Sequence, residues 1–395
     1  MKRLFILSII LITAILSCKK ITPKLPKEEE ILDGPIAGLS NEEQDQFLKG
    51  DIGFNEVFAP QNGLGPLFVS NSCASCHPVD GKGHPFTALT RFGQTDNTGN
   101  QFLLQGGPQL QNRAIPGYSP EVIPNGATSS KILAPASAGL GYLDAVSDQD
   151  IIAMSDPLDA DADGISGTVN WINIPAYCPV RQNALISNGK HIGRFGRKGA
   201  AYDLLQQTAN AYNQDMGINS TFEPIDTYRK LPVEPEVSNV VLQDVVFYLK
   251  TIKAPKQRDP ENSDVKAGKD LFMSIGCNKC HRSELKTGPS PIKALSEVTF
   301  HPYTDMLLHN MGPKLDDNYT EGSAATFEWK TPALWGLGLS KNSQGGSYFL
   351  MHDGRARSIN EAILMHGGEA VQVIINYEKL YDIERNQLIK FLESL

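Results

Sequence analysis

Cys73-Ala74-Ser75-Cys76-His77 and Cys277-Asn278-Lys279-Cys280-His281 repeat one pattern: two thiols three residues apart, followed at once by an imidazole. This spacing lets both thiols add to the two vinyl groups of a single haem. The adjacent histidine is then placed under the iron as its proximal ligand. A zinc site would gather four ligands in one place. Two half-sites could pair to make one, but each pair here brings its own immediate histidine, which zinc does not require. A redox C-x-x-C would follow a strand and open a helix, whereas Ser72 and Gly276 precede these cysteines, as in loops that deliver a haem. The expectation is two c-type haems, attached through Cys73, Cys76, Cys277 and Cys280 and ligated by His77 and His281.

The elements that must position these groups repeat as well. Ser40-Asn41-Glu42-Glu43 has the form of a capping box, followed by Phe47, Leu48, Phe54 and Phe58 ahead of the first motif. Val265, Gly268, Leu271, Phe272 and Ile275 mark an apolar helical face ahead of the second. Each unit closes on another apolar helix, through Val240, Val241, Val245, Val246 and Leu249 in the first and Leu388, Phe391, Leu392 and Leu395 in the second. Terminal helices of this kind cross beside the haem in cytochrome c folds. The fold class expected is mainly α, with two cytochrome c-like haem domains and loop-rich insertions. The stretch from Ala254 to Asn262 suits a linker, giving a first haem domain over 39–256 and a second over 257–395.

The 395 residues are 41% hydrophobic and carry a net charge of -8, with 35 Gly and 25 Pro spread widely. Length and composition fit two globular domains. The acidic balance argues against a nucleic-acid partner, which needs Lys and Arg to displace counterions. At the N-terminus, Met1-Lys2-Arg3 precedes an apolar run from Leu4 to Leu16. That run is shorter than the roughly 20 residues of a bilayer helix and suits the core of a signal peptide over 1–17. It ends in Ile15-Leu16-Ser17-Cys18, which resembles a bacterial lipobox. The resemblance implies cleavage before Cys18, lipidation of its sulfur, and a cell-envelope lipoprotein held to the membrane only by its anchor. Lys19, in place of Asp, favours the outer membrane. Residues 18–38 then form a solvated tether.

The second half carries Lys330-Thr331-Pro332-Ala333-Leu334-Trp335 and Tyr348-Phe349-Leu350-Met351-His352-Asp353-Gly354-Arg355. Further ordered segments include Leu140 to Ala145, Asp156 to Gly167, Gly193 to Gly196, Asp215-Met216-Gly217, Asn310-Met311-Gly312 and His366 to Ala370. From about Asn55 to Leu395 the chain resembles the di-haem oxidoreductases, named as thiol oxidoreductases or peroxidases, of the bacterial di-haem cytochrome c peroxidase and MauG superfamily. Two positions depart from the pattern: Asp144 stands where Glu is usual, and Arg197 where an aromatic residue is usual. The resemblance implies a peroxidase-like enzyme in which a small redox protein, of cytochrome c or cupredoxin type, feeds electrons through the second haem to a reactive first haem that meets hydrogen peroxide or another small oxidant. Counting from His352 by the family interval reaches His366 as sixth ligand of the second haem, with Met365 the alternative. For the first haem, His84, Met216 and His191 are candidates and none dominates. Asp144, Gln206 and Gln207 are candidates for moving protons, and Arg194, Arg355 and Arg357 for pairing with haem propionates. Rival readings are an electron carrier with both irons six-coordinate, and a non-catalytic envelope accessory that handles iron or haem.

Asp159-Ala160-Asp161-Ala162-Asp163-Gly164 places carboxylates at alternate positions before a glycine, as in the opening of a calcium-binding loop. The twelfth position is Asn170 instead of Glu, so calcium would rest on Asp159, Asp161 and Asp163 with carbonyls. Cys178 has no partner left and reads as a buried thiol. Trp171, Trp329 and Trp335 read as packing near the haems, and His301 and His309 receive no role.

Overall fold

The computed structural model describes residues 27–96 and 98–395. The signal peptide, Cys18 and residues 19–26 of the tether lie outside them. The chain divides into two units, residues 1–31 and 32–395. In the first, the described residues include one helical turn, Glu28–Glu30.

Two pairs of crossing helices frame the second unit. Helix α1 (Asn41–Asn55) starts as its sequence foretells: the Ser40 hydroxyl accepts from the Glu43 amide, and the Glu43 carboxylate accepts from the Ser40 amide. Helix α2 (Leu204–Asn210) runs into a widened turn over Ala211–Asp215. Helix α3 (Asn239–Thr251) packs against α1, and helix α4 (Ser263–Ser274) packs against the C-terminal helix. A short helix α5 (Ile359–Met365) precedes that C-terminal helix, α6 (Asp382–Ser394). The two crossings are built alike. A Cβ on Gly50 would lie 2.1 Å from the Asp244 carbonyl oxygen of α3, and one on Gly268 would lie 2.1 Å from the Gln387 carbonyl oxygen of α6. Only glycine lets the backbones approach so closely.

The expected helices form, but much of the chain between them is loop carrying small antiparallel sheets. Strand β1 (Leu89–Phe92) pairs with β2 (Ser129–Ile132), and β3 (Leu308–Asn310) pairs with β4 (Glu328–Lys330). Among the described residues no helix is long and apolar enough to cross a membrane.

The apolar interior has two main parts. One gathers Phe47, Phe54, Leu204, Tyr212, Leu242, Val245 and Tyr248, and it also takes in Leu295, Phe300, Leu307 and Trp335 from beyond the linker. The other is built within the last third of the chain around Phe272, Tyr303, Leu388 and Phe391. Residues 32–38, the end of the expected tether, pack onto the first part. Leu32 and Ile36 are buried, and the Ile36 amide donates to the Thr251 carbonyl at 2.8 Å.

Candidate haem sites

Each C-x-x-C-H motif folds as one tight helical turn. Cys73–Cys76 is capped by the Ser72 hydroxyl, which accepts from the Ser75 amide at 3.1 Å. Cys277–Lys279 follows Gly276, whose φ of 101° is a backbone conformation glycine adopts without strain. The His77 amide donates to the Cys73 carbonyl at 2.9 Å, and the His281 amide to Cys277 at 3.0 Å. Each turn therefore presents two thiols and an imidazole together.

The two histidines are oriented in the same way. His77 Nδ1 donates to the Pro135 carbonyl at 2.7 Å, and His281 Nδ1 donates to the Tyr303 carbonyl at 2.9 Å. This fixes the tautomer and leaves Nε2 for a metal, the usual arrangement behind an imidazole ligand. Burial pushes both pKa values down to about 4, so both rings are neutral and basic at Nε2. An aromatic ring from the leading helix braces each imidazole: Phe54 against His77 at 6.1 Å and Phe272 against His281 at 6.4 Å between centroids.

Each motif opens onto its own cavity. The first, about 220 Å³, is lined by Cys73, Cys76 and His77 and closed by Phe54, Phe195, Leu204, Val245 and Trp335. The second, about 210 Å³, is lined by Cys277, Cys280, His281, Phe272, Leu350, Ile363 and His366. The residues fit a large flat group with an apolar body. In the first cavity the hydroxyls of Thr208 and Tyr212 are buried with no hydrogen-bond partner among the described residues, which marks space these residues alone do not fill.

His366 reaches the second cavity as the C-cap of α5, and Met365 is not among the residues lining it. Its Nδ1 donates to the Ala362 carbonyl at 2.7 Å, and burial lowers its pKa. It thus lines the same cavity as His281 in the same chemical state, with Nε2 free. Of the three candidates above the first motif, Met216 lines the cavity. His84 instead packs between Phe86 and Phe349, and His191 lies against Tyr202.

The candidates for proton transfer separate in the same way. Asp144 pairs with Arg181 at 2.8 Å and Lys250 at 3.2 Å, and Gln206 accepts from the Tyr202 amide. Gln207 lines the first cavity, and so does a carboxyl not anticipated from the sequence, Asp215. Burial pushes Asp215 up to about 6, against the lowering effect of a 2.5 Å hydrogen bond from Gln109 and the charge of Arg91. It ends the Ala211–Asp215 turn, an i+5 helical distortion of the kind that recurs at functional sites.

Of the three arginines proposed for propionates, Arg194 lines the first cavity, and Arg355 and Arg357 line neither. Arg194 is fully buried and committed to Asp148 at 2.5 Å and the Asp144 carbonyl at 2.6 Å. Arg355 pairs with Asp353 and Asp317, and Arg357 lies over the Phe349 ring. Arg91 and Arg194 line the first cavity alone, whereas Lys82, Arg197 and Lys330 line both.

His309, given no role from sequence, proves to be central. It is buried beside the second motif, with Nε2 on Asp305 at 2.8 Å and Nδ1 on Glu369 at 2.7 Å. Glu369 also accepts from the Ser166 and Asn310 amides, so it fastens the segment just after His366. His352 stacks on Trp329 at 3.7 Å and bonds Asp317. Trp335 lines the first cavity and Trp329 the second.

In the acidic loop, carboxylate oxygens of Asp156, Asp159 and Asp161 lie within 4.8 Å of one another. Asp163 pairs instead with Lys279 at 3.1 Å. Cys178 is buried with its thiol pushed up to about 12 by burial and Asp203, which makes it unreactive.

The family model described as "Di-haem oxidoreductase, putative peroxidase" matches residues 129–228 and 222–395, more than half of the chain. The chain belongs to this di-haem oxidoreductase family. The match includes the second C-x-x-C-H motif and starts after the first, so the first rests on its own residues and cavity. No curated protein matches. Among solved structures, hydrazine synthase of Kuenenia stuttgartiensis, studied under 20 bar xenon, aligns at 14% identity with a TM-score of 0.42, over 95% of both chains. A MauG-like protein associated with microbial copper homeostasis aligns at 14% identity and a TM-score of 0.41, over 95% of this chain and 94% of its own.

Proposed function

We propose that this di-haem oxidoreductase is a peroxidase carrying two haems c, one on Cys73, Cys76 and His77 and one on Cys277, Cys280 and His281. The observation that carries the reading is the pairing of each C-x-x-C-H turn with its own apolar cavity and a histidine whose Nε2 is left free. When bound, the haems supply an iron that accepts peroxide and the storage of single electrons. His77 and His281 hold the metal from one side, with their Nδ1 protons fixed on carbonyls. His366, which lines the same cavity as His281, would offer the metal a second imidazole and make that site an electron relay. Among the described residues the first cavity has no second histidine in its lining; Met216, Asp215 and Gln207 line it instead. Asp215 takes the proton that peroxide must release and returns it to the departing oxygen. The apolar walls keep bulk water from competing.

Electrons would come from a small redox protein of cytochrome c or cupredoxin type. Lipidation at Cys18 would hold the enzyme at the outer membrane. Calcium would be held by Asp156, Asp159 and Asp161, with Asp163 engaged elsewhere.

The test is spectroscopy of the protein made in a host that attaches haem c. Two haems per chain are expected by mass, one low-spin and one that changes on adding peroxide to the half-reduced protein. His366→Ala should convert the low-spin signal to high-spin. Two low-spin haems inert to peroxide would establish an electron carrier instead. Tight iron binding without turnover would favour an accessory.

A further inference from the structure

Lys82, Arg197, Lys330 and Pro332 line both cavities at once. Three of these four are cations. They come from distant parts of the chain: the loop after the first motif, the turn between Phe195 and Ala201, and the end of β4. The backbone ties two of them together, since the Lys330 amide donates to the Arg197 carbonyl at 2.9 Å. The Arg197 guanidinium donates to the Leu133 carbonyl at 3.1 and 3.0 Å, which fixes its position without neutralising it.

No carboxylate forms an ion pair with any of the three among the described residues. The acidic groups whose fields reach them are already engaged: Asp305 with His309 at 2.8 Å and Asp353 with Arg355 at 2.7 Å. The two lysine ammonium groups have no hydrogen-bond partner among the described residues. Burial, aided by the charge of Arg197, pushes Lys82 down to about 7 and Lys330 to about 8, and burial brings Arg197 to about 10. Three half-buried like charges gathered without a counter-ion are unfavourable. Lysine and arginine retained in such a place require an anion that the polypeptide does not provide.

We propose that Lys82, Arg197 and Lys330 form one anion clamp between the two cavities, which takes propionates from both haems together. The inference rests on the two-haem reading above and adds where the cofactors meet. Each haem brings a pair of carboxylates, and a cluster lining both cavities is the place where both pairs can be met. Because the cations are shared, they act on both irons. A positive charge nearby favours the reduced, less positive iron, so the clamp raises both midpoint potentials.

The experiment is a spectroelectrochemical titration of the haem-loaded protein and of Arg197→Gln, Lys330→Gln and Arg197→Lys, with haem content read by mass. If the clamp is shared, each neutral substitution lowers both midpoint potentials, while Arg197→Lys stays near wild type. A shift at one haem alone, or at neither, in a variant holding both haems would overturn the clamp and leave the peroxidase reading intact. Wild-type potentials that move with added phosphate would also overturn it, because the cluster would then be serving free anions. Wild-type protein without two haems would instead remove the reading on which the clamp rests. Should Arg197→Gln lose haem, Lys330→Gln, whose side chain makes no bond to the polypeptide, carries the test.

Discussion

Asp215 and His366 mark the difference between the two cavities at the scale of single residues. An acid-base group works best when its pKa lies near the working pH, and burial brings Asp215 to about 6. To accept a proton it must be ionised, so turnover with peroxide should rise as pH climbs through about 6. Asp215→Asn should remove that limb and lower kcat/KM by roughly a hundredfold, read from the pH profile of peroxide reduction. A profile unchanged in the variant would clear Asp215 of the role. Glu369 has the opposite sign. Its bonds to His309, the Asn310 amide and Ser166 outweigh burial and hold it down at about 2, below its ordinary 4.5. A lowered carboxyl contributes stability that is complete above its unfolded pKa and is lost as pH falls through the folded value. Glu369→Gln should therefore lower the melting temperature at pH 7, and the gap from wild type should narrow as the pH approaches about 2. Melting curves at several pH values would check this.

The two helix crossings carry the architecture at the scale of elements. Gly50 and Gly268 occupy equivalent places in α1–α3 and α4–α6, each with a facing carbonyl where a side chain would go. The rings that brace the proximal imidazoles, Phe54 and Phe272, stand on the same helices. Gly50→Ala or Gly268→Ala should force the helices apart at a cost of about 2 kcal/mol or more. The loss should appear as a lowered melting temperature by circular dichroism. Displacement of Phe54 or Phe272 should also disturb the absorption of the nearer haem and spare the other. An alanine variant as stable as wild type would show that the crossings are looser than the packing indicates.

The molecule as a whole is not two halves joined by a linker. Leu295, Phe300, Leu307 and Trp335 complete an interior otherwise built from residues before the linker, while the interior around Phe272 and Phe391 draws on the last third alone. Expressed separately, residues 39–256 should fail to give a cooperative melt, because they lack apolar groups that their interior requires. Residues 257–395 should retain more of their structure. Independent cooperative unfolding of residues 39–256 would show that the borrowed side chains matter little.

The sequence alone determined whatever depends on neighbours along the chain. The C-x-x-C-H turns, the Ser40–Glu43 cap and the periodic apolar faces are local, because hydrogen bonds within a few residues decide them. The place of His366 follows from the family resemblance, whose interval runs from the turn at His352 to the end of α5. Tertiary structure decided the rest. Arg194 reaches the first cavity while its guanidinium pairs with buried Asp148, and Asp144 is engaged by Arg181 and Lys250. Lys82, Arg197 and Lys330 lie far apart in sequence and carry no common motif, and His309 meets Asp305 and Glu369 only once β3 and the segment after α5 come together. A charge takes its meaning from what surrounds it, and those surroundings come from parts of the chain that only folding brings together.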